Sequence, residues 1–393
     1  MLKITADENI PYVREAFGTL GDVTTLHGRR MTSEALRDAD LLLVRSITKV
    51  NRDLLDGTPV HFVATATIGE DHVDKAYLAE RGIAFSSAPG CNANSVGQYI
   101  AAALLELANG PGISGRKLGI VGVGNVGKRV LAAATALGFE CVLNDPPLAR
   151  KTGDPKYRPL EAILDCDIVT LHVPITKTGP DATYHLADES SIRRMKRGSV
   201  LINSARGPVT DTVAVKRAID DGHLRACVLD VWEGEPNPDI ELVERTFIAT
   251  PHIAGYSFDG KVNGTRQIYA AACAFLGKTP DWDPTPLLPA PECPKVVIDS
   301  RRPDAILEAV RAVYDIRRDD AAMRGILGQT DDARGAFFDR LRKAYPRRRE
   351  FFNTEAEVVP GNAQVEGILA GLGFVVKSWH EMSCISEGNA DGF

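Results

Sequence analysis

Leu118-Gly119-Ile120-Val121-Gly122-Val123-Gly124-Asn125-Val126-Gly127 decides the fold. A short apolar run leads into G-x-G-x-x-G, and Val126 to Leu137 continues as an apolar-periodic helix, the strand–turn–helix setting in which this motif carries meaning. Gly122 permits the tight turn, Gly124 lets the main chain approach a pyrophosphate, and Gly127 lets helix and strand pack closely. The pyrophosphate is expected on the unpaired N–H groups at the helix N-terminus, with Asn125 and Val126 among them. The next strand ends at Asp145, eighteen residues beyond Gly127. An acid there accepts hydrogen bonds from ribose hydroxyls and repels a 2′-phosphate, so NAD is expected rather than NADP.

Apolar runs alternate with helical stretches on both sides of this motif. Downstream strands are expected at 140–143, 167–172, 199–203, 226–231 and 247–250, completing a doubly wound unit. Upstream, 2–5, 41–44, 62–65 and 83–85 read as strands, with helical stretches at 13–20, 33–39 and 74–81. Val96, Ile100, Leu104 and Leu107 lie on one face of a long helix, and Ser95 is expected to cap it. The crowded prolines at 284, 286, 289, 291 and 294 read as a stiff extended linker. A strand at 295–299, a helix at 305–313 and a helix–strand pair around 365–376 follow it.

The expected architecture is α/β. A Rossmann-like NAD-binding domain (95–257) is inserted in a flavodoxin-like substrate or lid domain (1–94 and 258–285). A small C-terminal α+β domain (286–382) and a frayed tail (383–393) follow.

With 393 residues, 25% charged and 44% hydrophobic, the composition is globular and excludes a disordered, collagen-like or coiled-coil chain. No uninterrupted apolar run reaches the roughly 18 residues of a membrane span, and Asp7 and Glu8 fall where a signal peptide would be apolar. Seven scattered cysteines without C-x-x-C point to a reduced cytoplasm, no disulfide framework and no metal site. The net charge of −6 weighs against nucleic acid as a partner.

Three polar groups follow strands of the second half, where open α/β sheets place their ligands. They are Arg206 in Asn203-Ser204-Ala205-Arg206-Gly207, Glu235 in Asp230-Val231-Trp232-Glu233-Gly234-Glu235, and His252 in Thr250-Pro251-His252. Oxidising a 2-hydroxy acid needs a base near neutrality, a cation for the carboxylate and developing carbonyl, and an acid to orient the base. His252, Arg206 and one of Glu233 and Glu235 meet that need.

The glycine motif and the runs 203–207, 230–236 and 250–255 resemble the D-2-hydroxyacid dehydrogenases. The resemblance implies Arg206, Glu235 and His252 as the catalytic trio and selects Glu235 over Glu233. Val44-Arg45-Ser46-Ile47-Thr48-Lys49-Val50, Thr65-Ala66-Thr67-Ile68-Gly69, 88–93, 144–147, Ala254-Gly255-Tyr256 and 314–320 resemble one branch of that family. That branch implies oxidation of 4-phospho-D-erythronate to 3-hydroxy-2-oxo-4-phosphooxybutanoate with NAD, in pyridoxal 5′-phosphate biosynthesis, by a homodimer. It implies substrate contacts at Ser46, Thr67 and Tyr256. It implies cofactor contacts at Asp145, Val173, Ser204, Ala205, Arg206, Asp230 and Gly255. At Val173 only a backbone contact is available. Such a substrate carries a phosphate, and Arg45, Ser46, Thr48 and Lys49 offer cations and hydroxyls for it. The run Arg347-Arg348-Arg349 reads as a solvated face or a dimer contact rather than a phosphate clamp. The rival readings are another D-2-hydroxyacid dehydrogenase, such as one acting on 3-phosphoglycerate, and a non-catalytic NAD-sensing binding protein.

Overall fold

The structure, a computed structural model, describes residues 1–111 and 115–377. Cys384 and the expected tail lie outside the described residues. The chain forms two compact units, Met1–Ala93 with Ser257–Ala290, and Asn94–Tyr256 with Pro291–Phe393.

The first unit holds a parallel sheet of β1 (Lys3–Asp7), β2 (Asp22–Leu26), β3 (Leu41–Val44), β4 (Phe62–Thr65) and β5 (Ala84–Ser86) in the order β2-β1-β3-β4-β5. Leu41 and Leu43 face one core, with Phe17 and Tyr269, while Leu42 and Val44 face another, with Leu55 and Leu78. A central parallel strand is covered on both faces, which is why it reads as an unbroken apolar run. Edge strand β2 has no buried residue. It lacks such a run and was not expected from the sequence. The stretch 33–39 forms only a short 3-10 turn, Glu34–Leu36, rather than a helix. The helix Phe258–Phe275 returns to this unit and buries Ile268, Tyr269, Ala272 and Cys273 in its core.

The second unit holds a six-stranded parallel sheet. It comprises β6 (Lys117–Val121), β7 (Glu140–Asn144), β8 (Ile168–Leu171), β9 (Ser199–Asn203), β10 (Leu224–Leu229) and β11 (Ile248–Ala249), in the order β11-β10-β9-β8-β6-β7. Alternating residues again feed two cores: Ile120, Ile168, Val200 and Ile202 one, Val121, Val169, Leu171 and Leu201 the other. The helix Ala93–Asn109 starts two residues before Ser95, so Ser95 is not its cap. Its hydroxyl instead donates to the Ala254 carbonyl and accepts from Arg348.

The C-terminal segment adds a parallel sheet of β12 (Lys295–Asp299), β13 (Glu355–Val359) and β14 (Val375–Lys377). Its core is continuous with that of the NAD-binding sheet: Ile298, Ala309, Phe351 and Leu369 share one cluster with Ile120 and Val130. Charge ties the same junction. Glu106, its side chain 3% exposed, accepts from Arg311 (2.6 Å) and Arg317 (3.0 Å). Asp320 accepts the Ala249 N–H of β11 at 2.8 Å. Arg348 donates to Gln98 and lies 4.2 Å over the Tyr314 ring. Arg348 is therefore a buried part of this junction and Arg349 is buried too, so neither belongs to a solvated face; Arg347 is exposed.

Asp319 sits in the same junction and accepts the Tyr345 hydroxyl at 2.9 Å. Burial raises its carboxyl to about 6, against the pull of Tyr345 and Arg348. The folded-state value lies above the unfolded value of about 3.9, so stability is lost as pH rises between about 4 and 6. Asp319→Asn should remove that slope. The unfolding free energy from urea titrations across this interval is expected to fall less in the variant, by roughly 1–3 kcal/mol.

Candidate active site

In a doubly wound sheet, ligands bind beyond the strand carboxyl ends where the strand order reverses. In the second unit this point is the end of β6, flanked by β7 and β8. Gly122 stands there with φ +87°, and a Cβ on it would lie 2.6 Å from the His172 carbonyl oxygen. A Cβ on Gly127 would lie 2.0 Å from the Gly122 carbonyl oxygen, so only glycine allows the helix Asn125–Ala136 so close to the turn. At Gly124 a Cβ would meet no protein atom within 4 Å. This open side of the loop, at a helix N-terminus, suits an approaching pyrophosphate. Asp145 caps the helix Pro146–Thr152 by accepting the Leu148 N–H, and its other oxygen accepts the Val123 N–H at 2.9 Å. The expected ribose acid is thus also a brace for the glycine loop.

The loops after β8 and β9 are built from buried polar groups. The Asn203 side chain accepts the Ala205 N–H and donates to the Arg206 carbonyl, which shapes the Ser204–Arg206 turn. The Arg206 guanidinium donates to the Ala205 carbonyl at 2.7 Å. His172 bonds Thr170 at 2.9 Å and the Ser204 hydroxyl at 3.4 Å. Its desolvated surroundings push its pKa down to about 3, so this imidazole is a neutral scaffold. Val173 offers an apolar side chain beside Gly122.

The loops after β10 and β11 meet at His252. His252 has φ +57°, a conformation that costs a non-glycine residue of order 1 kcal/mol and persists only where its surroundings hold it. Asp230 does the holding. Its carbonyl accepts the His252 N–H at 2.7 Å. Its carboxylate accepts the Thr250 hydroxyl (2.6 Å) and the Ile253 (2.7 Å) and Ala254 (2.9 Å) N–H groups. Asp230 is only 1% exposed, and burial raises its carboxyl pKa despite the nearby His252 and these donors. The Asp230 carboxylate therefore lies beneath the His252 turn, taken up by it.

His252 Nδ1 lies 2.8 Å from Glu235 Oε2, and Glu235 Oε1 accepts the Trp232 N–H at 2.8 Å. Burial pushes the Glu235 carboxyl up, but His252, the Trp232 N–H and Arg342 outweigh it and hold the pKa below its ordinary value. Glu233 is placed elsewhere. It meets His185 at 2.7 Å and accepts the Thr212 N–H. The structure thus pairs His252 with Glu235 and not with Glu233. Gly255 and Tyr256 follow on the same loop, and the Tyr256 ring meets Tyr345 edge-on at 5.7 Å. Arg342, which sequence reading missed, lies over that ring with its guanidinium carbon 5.8 Å from the centroid. Nothing in its local pattern, within a basic stretch of helix, marked it out.

The first unit carries Arg45, Ser46 and Thr67 at the carboxyl ends of β3 and β4. Arg45 follows β3 beside the reversal of strand order between β1 and β3, and its Nη1 is buried with no hydrogen-bond partner among the described residues. Ser46 and Lys49 are exposed. The Thr67 hydroxyl meets Thr65 and donates to the Gly69 carbonyl. Thr48 does not fit an anion site: it is buried and donates to the Gly28 carbonyl at 3.1 Å, closing a turn.

Comparison with known proteins now bears on this geometry. Residues 102–254 match the D-isomer specific 2-hydroxyacid dehydrogenase, NAD binding domain family, and 287–373 match a domain of unknown function (DUF3410). The chain is 46% identical to the erythronate-4-phosphate dehydrogenase of Klebsiella pneumoniae (strain 342), over 95% of this chain and 98% of the relative. It is 45% identical to the protein of that name from Escherichia coli ATCC 8739, with the same coverage. The chain belongs to the erythronate-4-phosphate dehydrogenase family. Among solved structures, the TT0316 protein of Thermus thermophilus superposes with TM-score 0.61 at 25% identity, covering 71% of this chain and 98% of that one. The chain is an NAD-dependent oxidoreductase with the 2-hydroxyacid dehydrogenase fold. Among the described residues no helix is long and apolar enough to cross a membrane.

Glu235 and Glu233 separate by mutation. Glu235→Gln is expected to lower kcat by about 10–100-fold and to alter its pH profile, because the charge beside the imidazole is lost. Glu233→Gln should leave turnover within about threefold. Steady-state NADH formation against pH measures both.

Proposed function

We propose that this chain oxidises 4-phospho-D-erythronate at C2 to 3-hydroxy-2-oxo-4-phosphooxybutanoate, a step toward pyridoxal 5′-phosphate. The His252–Glu235 pair at the carboxyl edge of an NAD-binding sheet carries the reading, and the near-full-length likeness to erythronate-4-phosphate dehydrogenases supports the substrate.

The roles follow from the bonding. Nδ1 of His252 is engaged by Glu235, which leaves Nε2 as the nitrogen that takes the C2 hydroxyl proton. The ionised Glu235 stabilises the imidazolium that forms, and in the reverse direction the imidazolium returns the proton. Arg206 meets the substrate carboxylate and the oxygen that becomes the carbonyl; its planar fork suits both. Asp230 acts as a positioning residue through the His252 turn. Arg45, Ser46, Thr67 and Tyr256 are the residues that the sequence and its resemblance assign to the substrate. NAD, when bound, supplies the acceptor for the C2 hydride. Gly122, Gly124, Asn125, Val126 and Gly127 would hold its pyrophosphate and Asp145 its ribose. The loops carrying Val173, Ser204, Ala205, Arg206 and Gly255 would border the nicotinamide.

The resemblance of the C-terminal segment supports a homodimer, and the free thiols among the described residues fit the cytoplasm. Two measurements test the reading. NADH formation should be faster with 4-phospho-D-erythronate than with 3-phospho-D-glycerate by about 100-fold in kcat/KM; the reverse order overturns the substrate. Asp145→Asn removes the charge that repels a 2′-phosphate. It should reduce the preference for NAD over NADP by about tenfold or more, and an unchanged ratio would remove Asp145 from the ribose site.

A further inference from the structure

The helix Asp331–Lys343 brings the C-terminal segment to the catalytic loops. Gly335, Phe338 and Arg342 share one face of it by helical spacing. A Cβ on Gly335 would lie 2.9 Å from Asn237 Oδ1 and 3.3 Å from Pro236 Cγ, so this face rests on the turn just after Glu235. Phe338 is fully buried. Two turns on from Gly335, the Arg342 guanidinium lies over the rings of Tyr256 (5.8 Å) and Phe338 (6.0 Å). Its Nε is buried and has no hydrogen-bond partner among the described residues.

We propose that Arg342, with the Tyr256 hydroxyl beside it, binds the phosphate of the substrate and so makes the C-terminal segment part of the specificity site. This rests on the reading that the substrate is a phosphorylated 2-hydroxy acid. Such a molecule has three polar ends. Arg206 meets the carboxylate and His252 the hydroxyl, so within the second unit the phosphate, of about −1.5 to −2 charge, has no other assigned cation. Tyr256 lies on the His252 loop, and Arg342 beside it also acts electrostatically on Glu235, the partner of His252. Glu235 does not need Arg342 as a hydrogen-bond donor, because the Trp232 N–H and His252 already serve its two oxygens. A guanidinium over two aromatic rings, with a buried N–H that has no partner among the described residues, is suited to fork onto phosphate oxygens. Burial opposes its charge, yet Tyr256 and Glu235 hold its pKa above the ordinary arginine value.

The test compares 4-phospho-D-erythronate with D-erythronate, which lacks only the phosphate, in the full-length enzyme. Arg342→Gln is expected to raise KM for the phosphorylated acid by about 30-fold or more, and to lower kcat/KM for that acid at least about tenfold more than for D-erythronate. Inorganic phosphate should compete with the phosphorylated acid in the wild type and do so about tenfold more weakly in the variant. Equal losses on both acids, together with a shifted pH profile, would mean that Arg342 acts only on Glu235 and would overturn the proposal. Unchanged kinetics, or unchanged phosphate inhibition, would overturn it too. NAD titration checks that the variant is folded. If it is not, Arg342→Lys carries the test: it keeps the charge, loses the fork, and should raise KM for the phosphorylated acid alone. Failure of the underlying reading is separate, since the wild type would then show no preference for the phosphorylated acid.

Discussion

Asp230 is buried at the end of β10, and its main chain and side chain together accept four hydrogen bonds from the stretch Thr250–Ala254. That stretch holds His252 in a left-handed backbone conformation which an isolated histidine would leave. The imidazole reaches Glu235 only because the turn is held. Tyr99, from the long helix at the start of the unit, meets the Thr250 hydroxyl at 2.9 Å and extends the clamp into the core. The His252–Glu235 pairing in this unit therefore depends on a carboxylate whose acceptor capacity is taken up inside the protein.

The same principle binds the C-terminal segment to the NAD-binding sheet. Glu106, Asp320 and Arg348 are buried charges, and each has hydrogen-bond partners across the junction, although Arg348 Nε has none among the described residues. Removing one partner of a buried charge pair costs far more than an exposed ion pair contributes. The junction is thus specific as well as apolar, and it sets the register in which the helix Asp331–Lys343 lies on the turn after Glu235. A segment that reads from sequence as a separate domain shares its core with the NAD-binding sheet and rests on the turn after Glu235.

Both large sheets repeat one topological rule. In each, the strand order reverses beside the first strand. The loops at that reversal hold polar atoms without partners among the described residues, or glycine surfaces without side chains. In the first unit these are Arg45 Nη1 and Asp7 Oδ2; in the second they are the glycine loop and its open side at Gly124.

Periodicity and glycine spacing made the parallel sheets, the nucleotide loop and the loops bearing Arg206, Glu235 and His252 legible, because apolar runs and G-x-G-x-x-G report local constraints. Edge strand β2 escaped, since it buries no residue and so has no apolar run. Ser95 and Thr48 look like a cap and an anion ligand by residue type, but each hydroxyl is claimed by a carbonyl distant in sequence, Ala254 or Gly28. Position along the chain alone does not decide between Glu233 and Glu235. The local sequence by itself determined the α/β class, the glycine loop at the end of β6, and the strand-end loops that bear Arg206, Glu235 and His252. Tertiary structure showed the pairing of His252 with Glu235 that the resemblance had implied, and it alone decided why Asp230 is buried and that Arg342 reaches Tyr256. Those outcomes depend on hydrogen bonds and burial between segments tens to hundreds of residues apart, which no local pattern encodes.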